Sequence, residues 1–269
     1  MNDEPPVRVE VAHGIVTIAL NRPAALNALD HPTALALHRA IEGVADIADA
    51  RAVVLRGEGR SFCCGGDVAA MHAHRDDLPG FIGRMIDAFH ASVMALNRLR
   101  LPVIASVQGA VAGGGISLAL ACDLVLAARG TRFVVAYPQL GAPADGGLTF
   151  RLTQRLGAVR ALELLLVQGT IEAPQAHALG LINAVVDSDT ADAEALRWAR
   201  QLAASPPQSV VELKQLVALQ LHDELQAHLA RERAAFLRCA ATADFAQRVE
   251  AFVRRSSRSP AGNGKGPTP

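Results

Sequence analysis

The chain has 269 residues, 51% hydrophobic and 19% charged, a composition that suits a soluble globular protein and excludes an extended disordered chain. Its 26 Lys and Arg balance 26 Asp and Glu, so no net field draws it to nucleic acid, an anionic membrane or polyacidic substrates. The four cysteines, Cys63, Cys64, Cys122 and Cys239, lack the paired spacing of a zinc site, and they read as reduced thiols of a cytoplasmic protein.

The start "MNDEPPVRVE" has no apolar run of the signal-peptide kind and passes straight into an alternating pattern. From Val7 to Leu20 that alternation breaks at His13-Gly14, which predicts a hairpin, and "NRPAALNAL" then turns into a helix ending near Val44. "RAVVLRGEG" reads as a buried strand entering the glycine-bearing loop "RSFCCGGDV". Residues 67–97 read as a loop and a helix with apolar spacing at Phe81, Met85 and Phe89. Leu101 to Cys122 carries no formal charge over 22 residues, a bilayer-spanning length. Pro102, Gln108, Gly109 and a glycine triplet divide it into a short buried strand over 102–107, a turn and a helix start.

Strands follow over 123–128 and 132–137, so the order strand, helix, strand predicts a sheet with helices packed on it. From Gly146 the strand pattern nearly vanishes, leaving helices around 147–156, 158–167, 174–179, 190–204, 207–221 and 223–254. The organisation expected is a core over 1–190, a helical oligomerisation region over 191–255 packing against neighbouring subunits, and a disordered tail over 256–269.

"FCCGGD" (62–67) and "AGGGI" (112–116) share one arrangement: an apolar strand, a glycine turn and a helix start. A glycine inside a helix costs roughly 1 kcal/mol relative to alanine. Such runs therefore belong where bare backbone is needed, either for tight turns and close packing or for a ligand. Helix N-termini leave about four amides unsatisfied and carry positive potential, so two such loops on adjacent strands can aim one N–H each at a single oxygen. Neither loop has the Lys-Ser/Thr of a P-loop or opens a first βαβ unit with G-x-G-x-x-G.

"LNRPAALNAL", "GEGRSFCCGGDV", "LPVIASVQGAVAGGGISLALACDLVLAA" and "ALELLLVQGTIEAPQAHALGLINAVV" together resemble the enoyl-CoA hydratase/isomerase, or crotonase, superfamily, over roughly residues 7–255. The resemblance implies an α/β fold of the crotonase-like ββα superhelix type with a C-terminal helical region. It also implies an acyl-CoA substrate, no cofactor beyond the coenzyme A of that substrate, no metal, and a homotrimer or dimer of trimers. By motif position, the amides of Gly66 and Gly114 become the oxyanion-hole donors that stabilise an enolate-like thioester oxygen. Ala25 and the Cys64 carbonyl fall where the family meets coenzyme A; Arg22 and Arg60 stand beside the motif loops, either to meet its phosphates or as solvated surface charges, and Phe81, Met85 and Phe89 either line the acyl pocket or simply pack the core.

Hydration in this family uses two glutamates. Here Ser117 stands three residues after the middle glycine and Tyr137 four residues after Phe133, so ordinary hydratase chemistry is disfavoured. "AYPQLGAPADGG" instead offers Asp145, placed as in members that isomerise acyl-CoA double bonds or rearrange ring epoxides, and as in aryl-CoA dehalogenases. From its residues alone, Asp145 also fits the N-cap of the helix opening at Gly146 or Gly147. The leading expectation is isomerisation with Asp145 as acid/base. The alternatives are dehalogenase or hydrolase chemistry, with Asp145 as nucleophile, His90 as base and Tyr137 as its aromatic neighbour, or a non-catalytic relative that binds CoA or RNA. "MHAHRDD" (71–77) has ligand-like density but no fixed geometry, and reads as a solvated loop rather than a metal site.

Overall fold

The computed structural model describes residues 4–187, 190–218 and 222–258. β1 (Val7–Ala12) and β2 (Ile15–Leu20) form the expected hairpin. A tight turn at Pro23–Ala25 leads to α1 (His31–Glu42), opened by Asp30, whose side chain accepts from Thr33 N–H at 2.8 Å. Next come β3 (Ala52–Gly57), α2 (Val68–Ala73), α3 (Leu78–Arg98), β4 (Val103–Val107), β5 (Ala110–Ala112), α4 (Gly114–Ala121), β6 (Leu124–Ala128) and β7 (Arg132–Val134). The chain continues through α5 (Leu148–Glu163), β8 (Thr170–Glu172), α6 (Ala173–Ala178), β9 (Ala184–Val186), α7 (Ala191–Ala203), α8 (Pro207–Ala218), α9 (His222–Ala240) and α10 (Ala243–Arg258).

The main sheet runs β1-β2-β3-β4-β6-β9, parallel except for β1, and a smaller sheet runs β5-β7-β8. Successive residues of a strand face opposite sides, and both sides here are covered. Val53, Leu55, Val103 and Ala105 join the core that includes Leu37 and Ile41 of α1 and Ile82 and Val93 of α3. Ala52, Val54 and Ile104 pack under Ala195 and Ala199 of α7. That two-sided burial explains the nearly unbroken apolar runs. The uncharged stretch 101–122 is accounted for by β4, β5 and α4, and among the described residues no helix is long and apolar enough to cross a membrane.

Several expectations are corrected. The strand expected over 132–137 stops at Val134, because Pro138 lacks an N–H and helps set a 3-10 turn over Tyr137–Leu140. β5, β8 and β9 are three residues each, too short to show a two-residue period. The single helix expected over 223–254 is two, broken at Ala241-Thr242, where Thr242 Oγ1 caps α10 by accepting from Phe245 N–H at 3.2 Å.

α7, the first helix beyond the boundary expected at 190, lies on the main sheet. α9 and α10 pack on α3 and α2 of their own chain, burying Leu225, Leu229, Phe236, Phe245 and Val249. Large apolar side chains left exposed include Phe252 on α10, Val9 and Val11 on β1, Val159, Leu162, Leu166 and Val167 after the bend in α5, and Leu213, Leu216 and Val217 on α8. Of the expected tail, 256–258 form the last turn of α10, and 259–269 lie outside the described residues.

The parallel strands place their outgoing loops at one end of the molecule. β3 feeds 58–67, β4 feeds the β5 and α4 entry, and β7 feeds 135–147. Carboxyl ends of parallel strands are where α/β folds build sites.

Candidate active site

The two glycine loops meet backbone to backbone. Ala112 N–H donates to Cys63 O at 2.9 Å, Cys63 bridges Val111, and Leu29 bridges Gly66. Gly65 has φ +89°, and a Cβ there would stand 2.8 Å from Ala112 O and 3.1 Å from Gly114 N, so only glycine permits the approach. The amides around the meeting point have acceptors: Cys64 N–H to Leu26 O, Asp67 N–H to Leu29 O and Gly113 N–H to Val134 O. The Leu29–Gly66 bridge uses Leu29 N–H and Asp67 N–H, which leaves the Gly66 N–H outside the pairing. Gly114 is the first residue of α4, and its N–H has no intrahelical partner. Around these two amides stand Met71, Met85 and Phe89, all nearly buried. They form an apolar setting in which a hydrogen bond to a developing charge is strong.

Phe89 also links the loops to Asp145. Its edge faces Gly114 on one side and Gly146 on the other, where a Cβ would stand 2.4 Å from Phe89 Cε1 and 2.9 Å from Ser117 Cβ. Gly146 has φ +64°, so both conformation and space require glycine directly after the aspartate. Asp145 is only 7% exposed. Tyr137 O–H donates to its Oδ1 at 2.6 Å, and Ser117 Oγ donates to its backbone carbonyl at 2.7 Å. His90 Nε2 accepts from Gly146 N–H at 3.1 Å and stands 3.9 Å from Asp145 Oδ2. Oδ2 is thus the carboxylate oxygen not held by Tyr137.

Burial pushes the Asp145 carboxyl up to about 7, helped by the nearby Glu232 charge and opposed by the Tyr137 hydrogen bond. Burial lowers His90 to about 4. The ring is therefore neutral near pH 7, and because Nε2 accepts from the Gly146 amide, its hydrogen resides on Nδ1. Burial, reinforced by the adjacent carboxylate, raises the Tyr137 hydroxyl well above its ordinary value, so it remains a donor. The result is a carboxyl whose proton affinity lies near neutrality in a buried cluster.

The expectation that Asp145 fits an N-cap is corrected: Gly147 occupies that position. Glu232 of α9, which sequence reasoning missed, supplies the cap. Its Oε2 accepts from Gly147 N–H at 2.7 Å, and its Oε1 accepts from Thr149 N–H at 3.2 Å and Thr149 O–H at 2.6 Å. Glu232 lies 85 positions from Gly147 on a helix rich in charge, and its sequence surroundings carry no signal of burial.

Other expected residues divide. Ala25 and Cys64 come together, with the Cys64 thiol 3.6 Å from Ala25 O; burial raises that thiol, which disfavours the thiolate. Arg22 is engaged within the chain: its guanidinium bonds Ala28 O at 2.6 Å, Asp67 at 3.0 Å and Asp30 at 3.3 Å. It clamps the first glycine loop to the turn before α1. Arg60 is exposed beside that loop. In 71–77, the His74 ring stacks on Phe81 at 3.9 Å, and Asp67 caps α2 by accepting from Ala70 N–H. His90 sits inside α3 and is buried.

The family model described as enoyl-CoA hydratase/isomerase matches residues 10–259. The chain is 34% identical to the 1,2-epoxyphenylacetyl-CoA isomerase of Escherichia coli K12, over 95% of this chain and 97% of that protein. It is 35% identical to a probable enoyl-CoA hydratase of Rhodobacter capsulatus, over 93% and 95%. Among solved structures, an enoyl-CoA hydratase/isomerase from Mycobacterium paratuberculosis superposes with a TM-score of 0.86 at 28% identity, over 93% of this chain and 100% of that one.

Proposed function

The chain belongs to the enoyl-CoA hydratase/isomerase family, and from that premise we propose that it isomerises an unsaturated acyl-CoA with Asp145 as the single acid/base. The observation that carries this reading is the pairing of two amides, at Gly66 and Gly114, that have no backbone acceptor among the described residues, with one buried carboxyl whose proton affinity lies near neutrality. The thioester oxygen accepts from both amides. Oδ2 of the Asp145 carboxylate removes a proton from the carbon between thioester and double bond, and the electron pair moves onto the thioester oxygen as a dienolate. Asp145 then returns the same proton to the far end of the former double bond, leaving the conjugated isomer and a restored carboxylate. A base titrating near the working pH suits both halves of this exchange, and each amide donor is worth about 3 kcal/mol in the transition state. No cofactor beyond the coenzyme A of the substrate enters.

Hydration needs a second carboxylate to hold and activate water. Ser117 and Tyr137 stand where the resemblance places those groups, and both hydroxyls bond Asp145 instead. Nucleophilic dehalogenation needs a base to activate water, and the His90 Nε2 lone pair is already occupied by Gly146 N–H. These bonds favour proton transfer over both alternatives. The exposed apolar residues of α5 and α8 support assembly as a homotrimer or dimer of trimers, which a light-scattering mass would decide. The test of function is conversion of a 3-enoyl-CoA to its 2-enoyl isomer. Isomerisation should occur in the wild type and fail in D145N with acyl-CoA binding intact. Equal turnover in D145N would overturn the reading.

A further inference from the structure

We propose that Glu232 is a positioning residue for Asp145: from α9 it grips the first amides of α5 and holds the Asp145–Gly147 turn, while setting its own negative charge beside the aspartate. The inference rests on the reading of Asp145 as acid/base and adds a residue from the C-terminal helices to it.

Each backbone group of the turn is held by a different element. Ser117 of α4 takes the Asp145 carbonyl, His90 of α3 takes Gly146 N–H, and Glu232 takes Gly147 N–H. The first two contacts are neutral, and the third is a carboxylate 5% exposed, bonded by three donors of the α5 N-terminus at 2.6 to 3.2 Å. His228, one turn earlier on α9, shares this knot through Thr149 Oγ1 at 2.6 Å and lies 3.4 Å from Glu232. A helix could be capped by a neutral serine or asparagine within its own chain segment. A buried ion brought in from α9 does more, because charge in a low-dielectric setting acts on its neighbours.

The titratable and charged groups facing Asp145 are Tyr137 from the 3-10 turn, His90 from α3 and Glu232 from α9; Arg151 of α5 and His228 face Glu232. Asp87 and Arg233, paired with each other, flank His90. Burial does most to keep a proton on Asp145, and among the groups facing it Glu232 adds the negative charge that pushes the same way. The contact also makes the α9 fold-back on its own chain part of the site, since without α9 the turn loses its third anchor.

The experiment follows the Asp145 carboxyl band by infrared difference spectroscopy across pH, identified by its loss in D145N, in the full-length wild type, E232Q and E232D. Rates of isomerisation are measured in parallel. In E232Q, which keeps the shape and removes the charge, the midpoint of the band should fall by roughly one pH unit, and the acid limb of kcat/KM should fall with it. E232D, which keeps the charge on a shorter arm, should leave the midpoint near the wild-type value while kcat drops several-fold. A midpoint unchanged in E232Q, with only a lowered Tm, would make Glu232 a structural cap and overturn the inference. The band reports on Asp145 without turnover. Active D145N would therefore defeat the acid/base reading while this test of Glu232 still gives its answer.

Discussion

Replacing Asp145 with Asn removes a charge from the cluster while preserving shape, and the structure fixes the sign of the effect on stability. Burial lifts the carboxyl from 3.8 to about 7. The folded chain therefore holds a proton there that the unfolded chain has released between those values. Wild-type stability from this group is complete below the unfolded value, falls as pH rises, and is fully lost above about 7. At about 1.36 kcal/mol per pH unit the difference is roughly 4 kcal/mol, and relaxation around the ion reduces it to about 2–4 kcal/mol. The amide of D145N cannot ionise and still accepts from Tyr137, so the variant should match the wild type near pH 4 and exceed it by that amount near pH 8. Urea unfolding at both pH values measures it. Turnover should meanwhile fall by about two to four orders of magnitude. A D145N protein no more stable than wild type near pH 8 would refute the claim that the site stores an unfavourable buried charge.

Y137F removes the hydrogen bond that lowers the Asp145 carboxyl, so the acid limb of kcat/KM should move to higher pH and activity at neutral pH should drop. A limb that stays or moves down would contradict the geometry. G65A forces a side chain to φ +89° and sets its Cβ 2.8 Å from Ala112 O, costing roughly 1–3 kcal/mol in strain and separating the two amides. G66A meets only the flexible ends of Met71 and Met85 and should unfold close to wild type, so comparing the two Tm values checks the assignment. R22M breaks a partly buried clamp on Asp30 and Asp67 and should lower stability by about 1–3 kcal/mol. If it instead left Tm unchanged and weakened only CoA affinity, Arg22 would have to swing free.

The parts legible in the sequence were those with a local signature. The His13-Gly14 hairpin, the buried strands β3, β4 and β6, and the glycine loops each announce themselves within ten residues, by alternation, by an apolar run or by glycines at a strand exit. Asp145, Ser117 and Tyr137 could be named, but their mutual bonds could not, because all three converge only after β7 ends early at Val134 and α4 tucks beneath the turn. Arg22 looked available because its partners Asp30 and Asp67 lie in two different loops. Glu232 left no trace at all: a carboxylate on a charged amphipathic helix reads as solvated surface until the fold-back of α9 delivers it to the start of α5. The seat of α7 was not legible for a related reason, since an amphipathic helix carrying Ala195, Ala199 and Leu202 fits a neighbouring subunit as well as its own sheet.

Everything proposed for the chemistry depends on two peptide hydrogens reaching one oxygen. A crystal structure with an unreactive acyl-CoA analogue tests this directly. The account expects the carbonyl oxygen within about 2.7–3.1 Å of both Gly66 N and Gly114 N, with the neighbouring carbon against Asp145 Oδ2. An analogue bound with either amide turned away, or with that oxygen held by water alone, would contradict it.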